Sequence, residues 1–295
     1  MYATLIVVAA LWGAGAGLLL PRAAYRLSVE PDQPYRDSCE AGHPITGPAN
    51  GWLGRAGCAT CAAAGGLVTA PEPGAQAGPA AGAPPGRTES GSAALPTTDE
   101  SGTPSDEPRP VLRGARYVPS LPAVLVTALV CGLLAAATGP RPELAVWLLL
   151  TPVAGLLALV DRNVHRLPDQ LTLPLAGAAA VLLGLAALLP AHGGSWPTAL
   201  LGGLALGGCY FVLFLINPNG MGFGDVKLAL SLGVILGWYG WLVLFVGAFA
   251  GFLFGSLYGL GLMALRRANR KSAIPFGPFM IAGALLGVLL GALAA

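Results

Sequence analysis

Runs of apolar residues close to bilayer thickness recur along this chain, and they constrain its fold more than any other feature. Eight such runs can be recognised, and they cover approximately residues 3–20, 120–138, 144–160, 172–190, 198–215, 226–237, 241–265 and 277–294. Only 10% of the 295 residues are charged, whereas a soluble domain carries roughly a quarter. We therefore predict an all-α, polytopic protein of about eight transmembrane helices embedded in a lipid bilayer.

The sixth run is short, and the sequence Gly237-Trp238-Tyr239-Gly240 separates it from the seventh. If the chain did not turn at this sequence, the two runs would form one helix too long for a bilayer. We therefore predict a turn at this sequence.

Positively charged residues predict the orientation of these helices. With the N-terminus outside, 15 of the 16 Lys and Arg residues lie in or beside segments on the inner face, and only Arg141 lies outside. Lys and Arg are enriched in cytoplasmic loops. Arg22 and Arg26 follow the first run rather than precede it, which favours a retained anchor over a cleaved signal peptide. The location predicted is a cytoplasmic membrane, with the inner loops in the cytoplasm.

The chain divides into four parts. Residues 1–27 are the first transmembrane helix, 28–61 a cytoplasmic loop containing Cys and His, 62–115 an insertion rich in Pro, Gly and Ala, and 116–295 the membrane-embedded domain. The insertion has nine prolines and no aromatic residue between positions 62 and 110, so we predict that it is disordered. The chain has no basic patch with interleaved aromatic residues, which argues against nucleic acid as a partner.

Two acidic residues stand at the inner ends of predicted helices. Asp161 ends the third run and Asp225 opens the sixth. The fourth and fifth runs lead out and back, so both carboxylates return to the cytoplasmic face and can meet there. Two carboxylates that share a proton can hydrolyse an amide, one as base towards water and the other as acid towards the carbonyl oxygen. The alternative is that both are interfacial residues facing water, and Gly222 and Gly224, which flank Phe223 just before Asp225, favour the functional reading because glycine permits close backbone approach.

Four further polar residues have plainer interpretations. Asp169, after Pro168, is expected to be the N-cap of the fourth helix rather than a catalytic group. His165 is expected to be a loop residue. Lys227 either influences the acid pair or extends to the interface, and Glu143 is expected to be solvated in a short outer loop.

Four segments resemble the bacterial type IV prepilin peptidase family. Residues 161–174, which begin at Asp161 and include Pro168 and Asp169, look like its first aspartate motif, and 222–228, from Gly222 to Leu228, resemble the second. Residues 274–279, which contain Pro275, Gly277 and Pro278, are similar to a third segment, and the end of the first run around Tyr25-Arg26 also resembles the family.

The resemblance implies an aspartyl endopeptidase that removes the basic leader of type IV prepilins or secretion pseudopilins at the cytoplasmic face. Asp161 and Asp225 would be catalytic, and Asp169 would not. Gly222, Gly224, Lys227, Pro168, Asp169, Pro275, Gly277 and Pro278 would support the motifs or the substrate. Proteolysis would need no cofactor.

The cysteine loop departs from the family. Members that also N-methylate the new terminus with S-adenosylmethionine often carry two Cys-x-x-Cys pairs, whereas here only Cys58 and Cys61 form such a pair. Cys39 is left without its partner, and His43 stands one position beyond the partner's place. Cys39, His43, Cys58 and Cys61 suit a tetrahedral zinc ion, the alternative being unpaired cytosolic thiols. The departure argues against methyltransferase activity.

Two other functions remain as alternatives. Presenilin-like proteases share Gly-x-Gly-Asp, but their first aspartate usually follows tyrosine, whereas Val160 precedes Asp161 here, and their Pro-Ala-Leu motif is missing. An ion-coupled transporter would place acids near the middle of the membrane and would show an inverted repeat.

Overall fold

The computed structural model describes residues 2–29, 33–39, 41–54, 57–58, 60–61, 120–165, 167–218, 221–265 and 275–295. Eight long helices account for most of these residues. They are α1 Tyr2–Leu27, α2 Ser120–Thr138, α3 Glu143–Val164, α4 Asp169–Ala187, α5 Trp196–Ile216, α6 Phe223–Gly237, α7 Trp241–Ala264 and α8 Gly277–Ala294. The predicted insertion at 62–115, Arg166 and Ile274 lie outside the described residues.

The all-helical, polytopic fold class is confirmed. Seven of the eight helices are long and apolar enough to cross a membrane, and the exception is α6. With 15 residues, α6 is about 22 Å long, shorter than the roughly 30 Å hydrocarbon core. The turn that we predicted after α6 is present, with Gly240 at φ 101° and Trp241 opening α7.

The short helix α6 is enclosed by its neighbours. It contacts α4, α5, α7 and α8, and nine of its 15 residues are buried. Contact with α5 is especially close: a Cβ on Gly233 would lie 2.5 Å from the backbone oxygen of Gly202. Small residues that let helix backbones approach are the usual basis of helix packing in membranes. Protein rather than lipid therefore surrounds most of α6, whose first turn contains Asp225.

The two aspartate-bearing helix ends lie at one face. The chain leaves the end of α3 near Asp161, crosses in α4, returns in α5, and reaches the start of α6 near Asp225. The start of α8 lies at the same face, because the Gly277 N–H donates a hydrogen bond to Asp161. The out-and-back topology expected from the sequence is thus present.

Glu143 at the opposite face corrects one expectation. It is fully buried rather than solvated, and its Oε1 accepts a hydrogen bond of 3.0 Å from the backbone N–H of Gly193. Beside it, Arg141 donates to the backbone oxygen of Ala292 in α8. The bond from the Gly193 N–H to the Glu143 carboxylate therefore holds the connection between α4 and α5 against the start of α3.

Candidate active site

Asp161 is buried at the end of α3, with 4% of its surface exposed. Its Oδ2 accepts a hydrogen bond of 2.9 Å from the backbone N–H of Gly277, the first residue of α8. The first amides of a helix have no partner within the helix and favour negative charge. Pro278, the next residue, has no N–H, and Pro275 precedes the helix. The start of α8 is therefore built to hold the Asp161 carboxylate.

Glycine at position 277 is required by the closeness of this contact. A Cβ placed there would lie 2.8 Å from Oδ2 of Asp161 and 3.2 Å from its Cγ. Any side chain larger than hydrogen would push the carboxylate away from the amide that binds it. The sequence marked Gly277 only through its motif, and its bond to Asp161 was not predicted.

Asp225 lies in the first turn of α6 and is partly exposed. Its carboxyl is close enough to interact electrostatically with that of Asp161. The structure thus brings together the two residues that the sequence singled out. Asp161 lies near the C-terminus of α3 and Asp225 near the N-terminus of α6, at the same end of the helix bundle.

Gly224 and Gly222 play unequal parts in this arrangement. A Cβ on Gly224 would lie 3.0 Å from Cβ of Leu167, in the segment that connects α3 to α4. The nearest atom to a Cβ on Gly222 would be Oδ2 of Asp225, at an ordinary contact distance of 3.7 Å. Gly224 is therefore the residue that lets the start of α6 lie against the connection after Asp161.

Lys227 pairs with Asp169 across the same face. Its Nζ lies 2.5 Å from Oδ2 of Asp169 and 4.7 Å from the centre of the Phe223 ring. The expectation that Asp169 is an N-cap is wrong: Pro168 occupies that position, and no side chain caps the helix. Asp169 is drawn instead to the ammonium group, and the pair ties α4 to α6 beside the acid pair. Since the Asp169 side chain is 62% exposed, the pair contributes little to stability.

His165 lies where a loop residue was expected. It follows α3 in the left-handed conformation, with φ 52°, and its N–H donates to the backbone oxygen of Asp161. The left-handed residue is a common way to end a helix. His165 therefore ends α3 four residues after Asp161.

Sequence reasoning missed Tyr210, which lies in α5. Its side chain is only 2% exposed, interacts electrostatically with Asp225, and packs against the rings of Phe252 and Phe276. A single aromatic residue within an apolar helix gives no signal of this role. Its position shows that α5, α7 and the segment before α8 all contribute to the surroundings of the acid pair.

The cysteine loop gathers its four predicted ligands. The ligand atoms of Cys39, His43, Cys58 and Cys61 all lie within 4.8 Å of one another. Sγ of Cys39 lies 3.8 Å from Sγ of Cys61 and 3.6 Å from Nδ1 of His43, and Nδ1 of His43 lies 3.2 Å from Sγ of Cys61. A tetrahedral zinc ion separates such atoms by roughly 3.5–3.8 Å. The four donors therefore fit zinc with only small adjustments.

A tight turn explains how His43 replaces the absent cysteine. The Cys39 N–H donates to the His43 carbonyl, and the Gly42 N–H donates to the Cys39 carbonyl. Gly42 adopts φ 79°, a conformation that suits glycine. The turn places both donors of this segment on the same side, facing Cys61.

The thiols of the cluster differ in acidity. Burial opposes ionisation of Cys58, but hydrogen bonds from Cys61, Thr60 and Cys39 outweigh it and lower the pKa of Cys58 to about 7. Burial, together with the neighbouring Cys58 and Cys39, raises the pKa of Cys61 to about 11.

The loop is attached to the face that carries the acid pair. Tyr35 donates a hydrogen bond from its hydroxyl to the side chain of Gln170 in α4, and Asn163 of α3 donates to Ser28 at 3.2 Å. The Arg26 guanidinium stacks 4.3 Å from the Trp52 ring centre. These contacts place the loop beside the connection between α3 and α4, which the sequence did not predict.

The segment that carries both aspartates matches a known family. Residues 145–260 match the model of the type IV leader peptidase family. This segment is similar to the type IV leader peptidase family. It includes Asp161 and Asp225 of the acid pair, whereas the cysteine loop and Gly277 lie outside it.

Curated relatives that match this chain over about half of its length share one name. A protein of Aeromonas salmonicida named prepilin leader peptidase/N-methyltransferase is 34% identical over 168 residues, which cover 57% of this chain and 56% of the relative. Proteins with the same name from Pseudomonas aeruginosa and Legionella pneumophila are 34% identical over 170 residues and 32% identical over 157 residues, covering 57% and 50% of this chain and 57% and 49% of the relatives. The chain spans about half the length of the curated relatives that it matches. No solved structure matches it.

Proposed function

We propose that this protein is an aspartyl endopeptidase that removes the basic leader of prepilins or pseudopilins at the cytoplasmic face of a bacterial inner membrane. The observation that carries the proposal is the pairing of Asp161, held by the Gly277 amide, with Asp225. The match to the type IV leader peptidase family and the names of the relatives support the substrate class.

The geometry suits different roles for the two carboxyls, one as base and the other as acid. A hydrogen bond from a backbone amide stabilises an ionised carboxylate, so Asp161 is the group to take a proton from water. The water oxygen attacks the scissile carbonyl carbon, while Asp225 gives its proton to the carbonyl oxygen. As the tetrahedral intermediate collapses, the C–N bond breaks, Asp161 passes its proton to the leaving amine, and Asp225 recovers one from the hydroxyl group. Two side chains and one water molecule complete the reaction.

Charge at this face supports the assigned orientation and substrate. Arg162 and Lys227 lie near the acid pair, Arg22 and Arg26 end α1 at the cysteine loop, and Arg141 lies at the opposite face. Lys and Arg concentrate on the cytoplasmic side of membrane proteins. The acid pair therefore opens towards the cytoplasm, where the leader of an unprocessed pilin is found.

Co-expression with a prepilin tests the peptidase. We expect the wild type to shorten the prepilin by its leader, and Asp161→Asn and Asp225→Asn to leave it intact, with the mass of the pilin N-terminus as the measurement. Asp169→Asn is the matched control, since this exposed carboxylate lies at the same face, and it should retain cleavage. If well-folded wild type leaves a range of prepilins uncut, the peptidase proposal is wrong and an ion-coupled transporter becomes the better hypothesis.

The same mass measurement addresses methylation. The relatives are named N-methyltransferases as well as peptidases, while the altered cysteine pattern argues against this second activity here. An additional methyl group on the processed pilin, dependent on S-adenosylmethionine, would show that the chain has the activity, and its absence would show that the chain has lost it.

We further propose that the cysteine loop binds zinc through Cys39, His43, Cys58 and Cys61. The closeness of the four ligand atoms supports this site, which would fix the loop against the start of the membrane domain. We expect protein purified without chelators to contain about one zinc ion per chain, and Cys58→Ser to lose most of it, as measured by elemental analysis. Cys209→Ser, which changes an exposed cysteine of α5, should keep the metal; equal zinc in all three proteins would contradict the proposal.

A further inference from the structure

Tyr210 of α5 carries a hydroxyl group that the two-carboxyl reaction does not use. Only 2% of the residue is exposed, and its ring centre lies 5.5 Å from that of Phe252 and 6.4 Å from that of Phe276. Within the part of the chain that the structure describes, no group forms a hydrogen bond with this hydroxyl, and its oxygen is not fully enclosed. Buried hydroxyls usually have a partner in the protein or a water molecule. The Tyr210 hydroxyl can therefore donate a hydrogen bond to a group that comes within its reach.

The packing of α5 on α6 places Tyr210 opposite the turn that contains Asp225. Two contacts set the register of these antiparallel helices: Gly207 lies directly against the side chain of Leu230, and the rings of Phe214 and Phe223 lie 5.3 Å apart. Tyr210 lies between these two contacts on α5, and Asp225 lies between them on α6. The two side chains therefore come from facing turns, and they interact electrostatically.

Tyr210 also contacts the segment that holds the other aspartate. Its ring packs against Phe276, which directly precedes Gly277. The Gly277 N–H donates the hydrogen bond of 2.9 Å to Asp161. Tyr210 is thus next to Asp225 on one side and next to the support of Asp161 on the other. Packing on both Phe252 and Phe276 fixes the direction of its ring, and with it the place of the hydroxyl.

Few other ionisable side chains surround Asp225. Lys227, on the same helix, is paired with Asp169 of α4. On α5, Cys209 is exposed, and on α7 Tyr258 is 49% exposed. The sequence of α8 contains no ionisable side chain, and α3 contributes Asp161, the other member of the acid pair. Among the described residues of these helices, Tyr210 therefore remains as a buried, uncharged side-chain donor for Asp225.

We propose that Tyr210 is a positioning residue for Asp225, whose carboxyl accepts a hydrogen bond from the Tyr210 hydroxyl, directly or through one water molecule, during the reaction. The inference rests on the proposed peptidase function. Negative charge develops on Asp225 as it gives its proton to the substrate carbonyl oxygen, and a hydrogen bond to a charged acceptor is stronger than one to a neutral acceptor. The bond therefore stabilises the transition state more than the ground state. Tyr210 keeps its own proton throughout, and catalytic hydrogen bonds of this kind often form only when substrate is bound.

Tyr210→Phe tests the proposal, because it removes the hydroxyl and keeps the ring that packs on Phe252 and Phe276. We expect kcat for prepilin cleavage to fall about tenfold or more, with little change in KM. The alkaline limb of the pH profile of kcat, where Asp225 loses its proton, should move up by about half a pH unit, since the carboxylate has lost a donor. Tyr258→Phe, the same change at an exposed tyrosine, should behave like the wild type. An unchanged kcat in Tyr210→Phe, or a lower kcat with the alkaline limb unmoved, would overturn the proposal.

Replacing Tyr210 by a fluorinated tyrosine gives a second measurement that does not depend on the folding of Tyr210→Phe. The analogue keeps the ring and the hydroxyl but makes the hydroxyl more acidic. We expect cleavage to continue and the alkaline limb to move to lower pH, because a stronger donor stabilises the Asp225 carboxylate and an ionised phenol no longer donates. A residue that only packs would leave the limb in place. If the wild type cuts prepilin and the fluorinated protein has an unmoved limb, the Tyr210 proposal fails and the peptidase stands; if the wild type cuts nothing, both fail.

Discussion

At the scale of single residues, the position of the Asp161 carboxylate depends on the absence of a Cβ atom at residue 277. Gly277 brings a backbone N–H to 2.9 Å from Oδ2, and only a hydrogen occupies the space where a Cβ would lie 2.8 Å from the same oxygen. The amide can therefore bind the carboxylate at full contact. A side chain at position 277 would separate two groups that the mechanism requires together.

Gly277→Ala tests this arrangement. We expect the variant to fold and to reduce kcat for prepilin cleavage about a hundredfold, the size of effect that small misplacements of catalytic groups produce. The control is Gly208→Ala, since a Cβ on that glycine of α5 would meet no atom within 4 Å. Unchanged kcat in Gly277→Ala, measured with the same prepilin, would show that the amide does not position Asp161.

The sequence predicted which acidic residues form a pair, but it did not predict every contact around them. The acid pair could be found because charged residues are scarce in the membrane domain and two predicted helices separate Asp161 from Asp225. The partner of Asp169 could not be predicted from the sequence. The N-cap pattern depends only on neighbouring residues, whereas Lys227, which pairs with Asp169, is 58 positions away. Local patterns indicate which residues are unusual, whereas their contacts depend on how distant helices pack.

At the scale of helices, hydropathy predicted the number and order of the elements, including the short α6. The first apolar run ends at residue 20, whereas α1 continues through Pro21 and Arg22 to Leu27, where the first part of the chain was expected to end. A helix can extend past its apolar run when a folded loop covers it. Arg22 donates to the backbone oxygens of Thr46 and Leu53 in that loop. The burial of Glu143 was missed for the same reason, since hydropathy cannot show which outer loops pack over a charge.

The outer ends of α3 and α5 are joined through Glu143. Its Oε1 accepts the Gly193 N–H, which belongs to the connection between α4 and α5. Glu143→Ala would remove the acceptor of this partly buried N–H, at a cost of about 1 kcal/mol. We expect its thermal unfolding midpoint in detergent to fall by several degrees, while Glu143→Gln, which keeps an acceptor oxygen, falls less. Equal midpoints for the wild type and Glu143→Ala would contradict the role given to this bond.

At the scale of the whole molecule, two faces carry different kinds of polar structure. At one face the acid pair, the Lys227–Asp169 ion pair and the cysteine loop lie together, and the loop contacts α3 and α4 through Ser28 and Tyr35. At the other face, short connections close around Glu143. The proposed removal of a cytoplasmic leader requires the acid face to lie on the cytoplasmic side of the membrane.

Topology reporters test that requirement directly. A bacterial alkaline phosphatase, which is active only outside the cytoplasm, should be active when fused after His192 between α4 and α5, and inactive when fused after Asn217 between α5 and α6. A green fluorescent protein at the same two positions should give the opposite pattern, which controls for expression. The reverse result would place Asp161 and Asp225 outside the cell membrane, away from the leader of an unprocessed pilin. The acid pair could then still be a peptidase, but it could not cut the leader proposed here, because that leader lies in the cytoplasm.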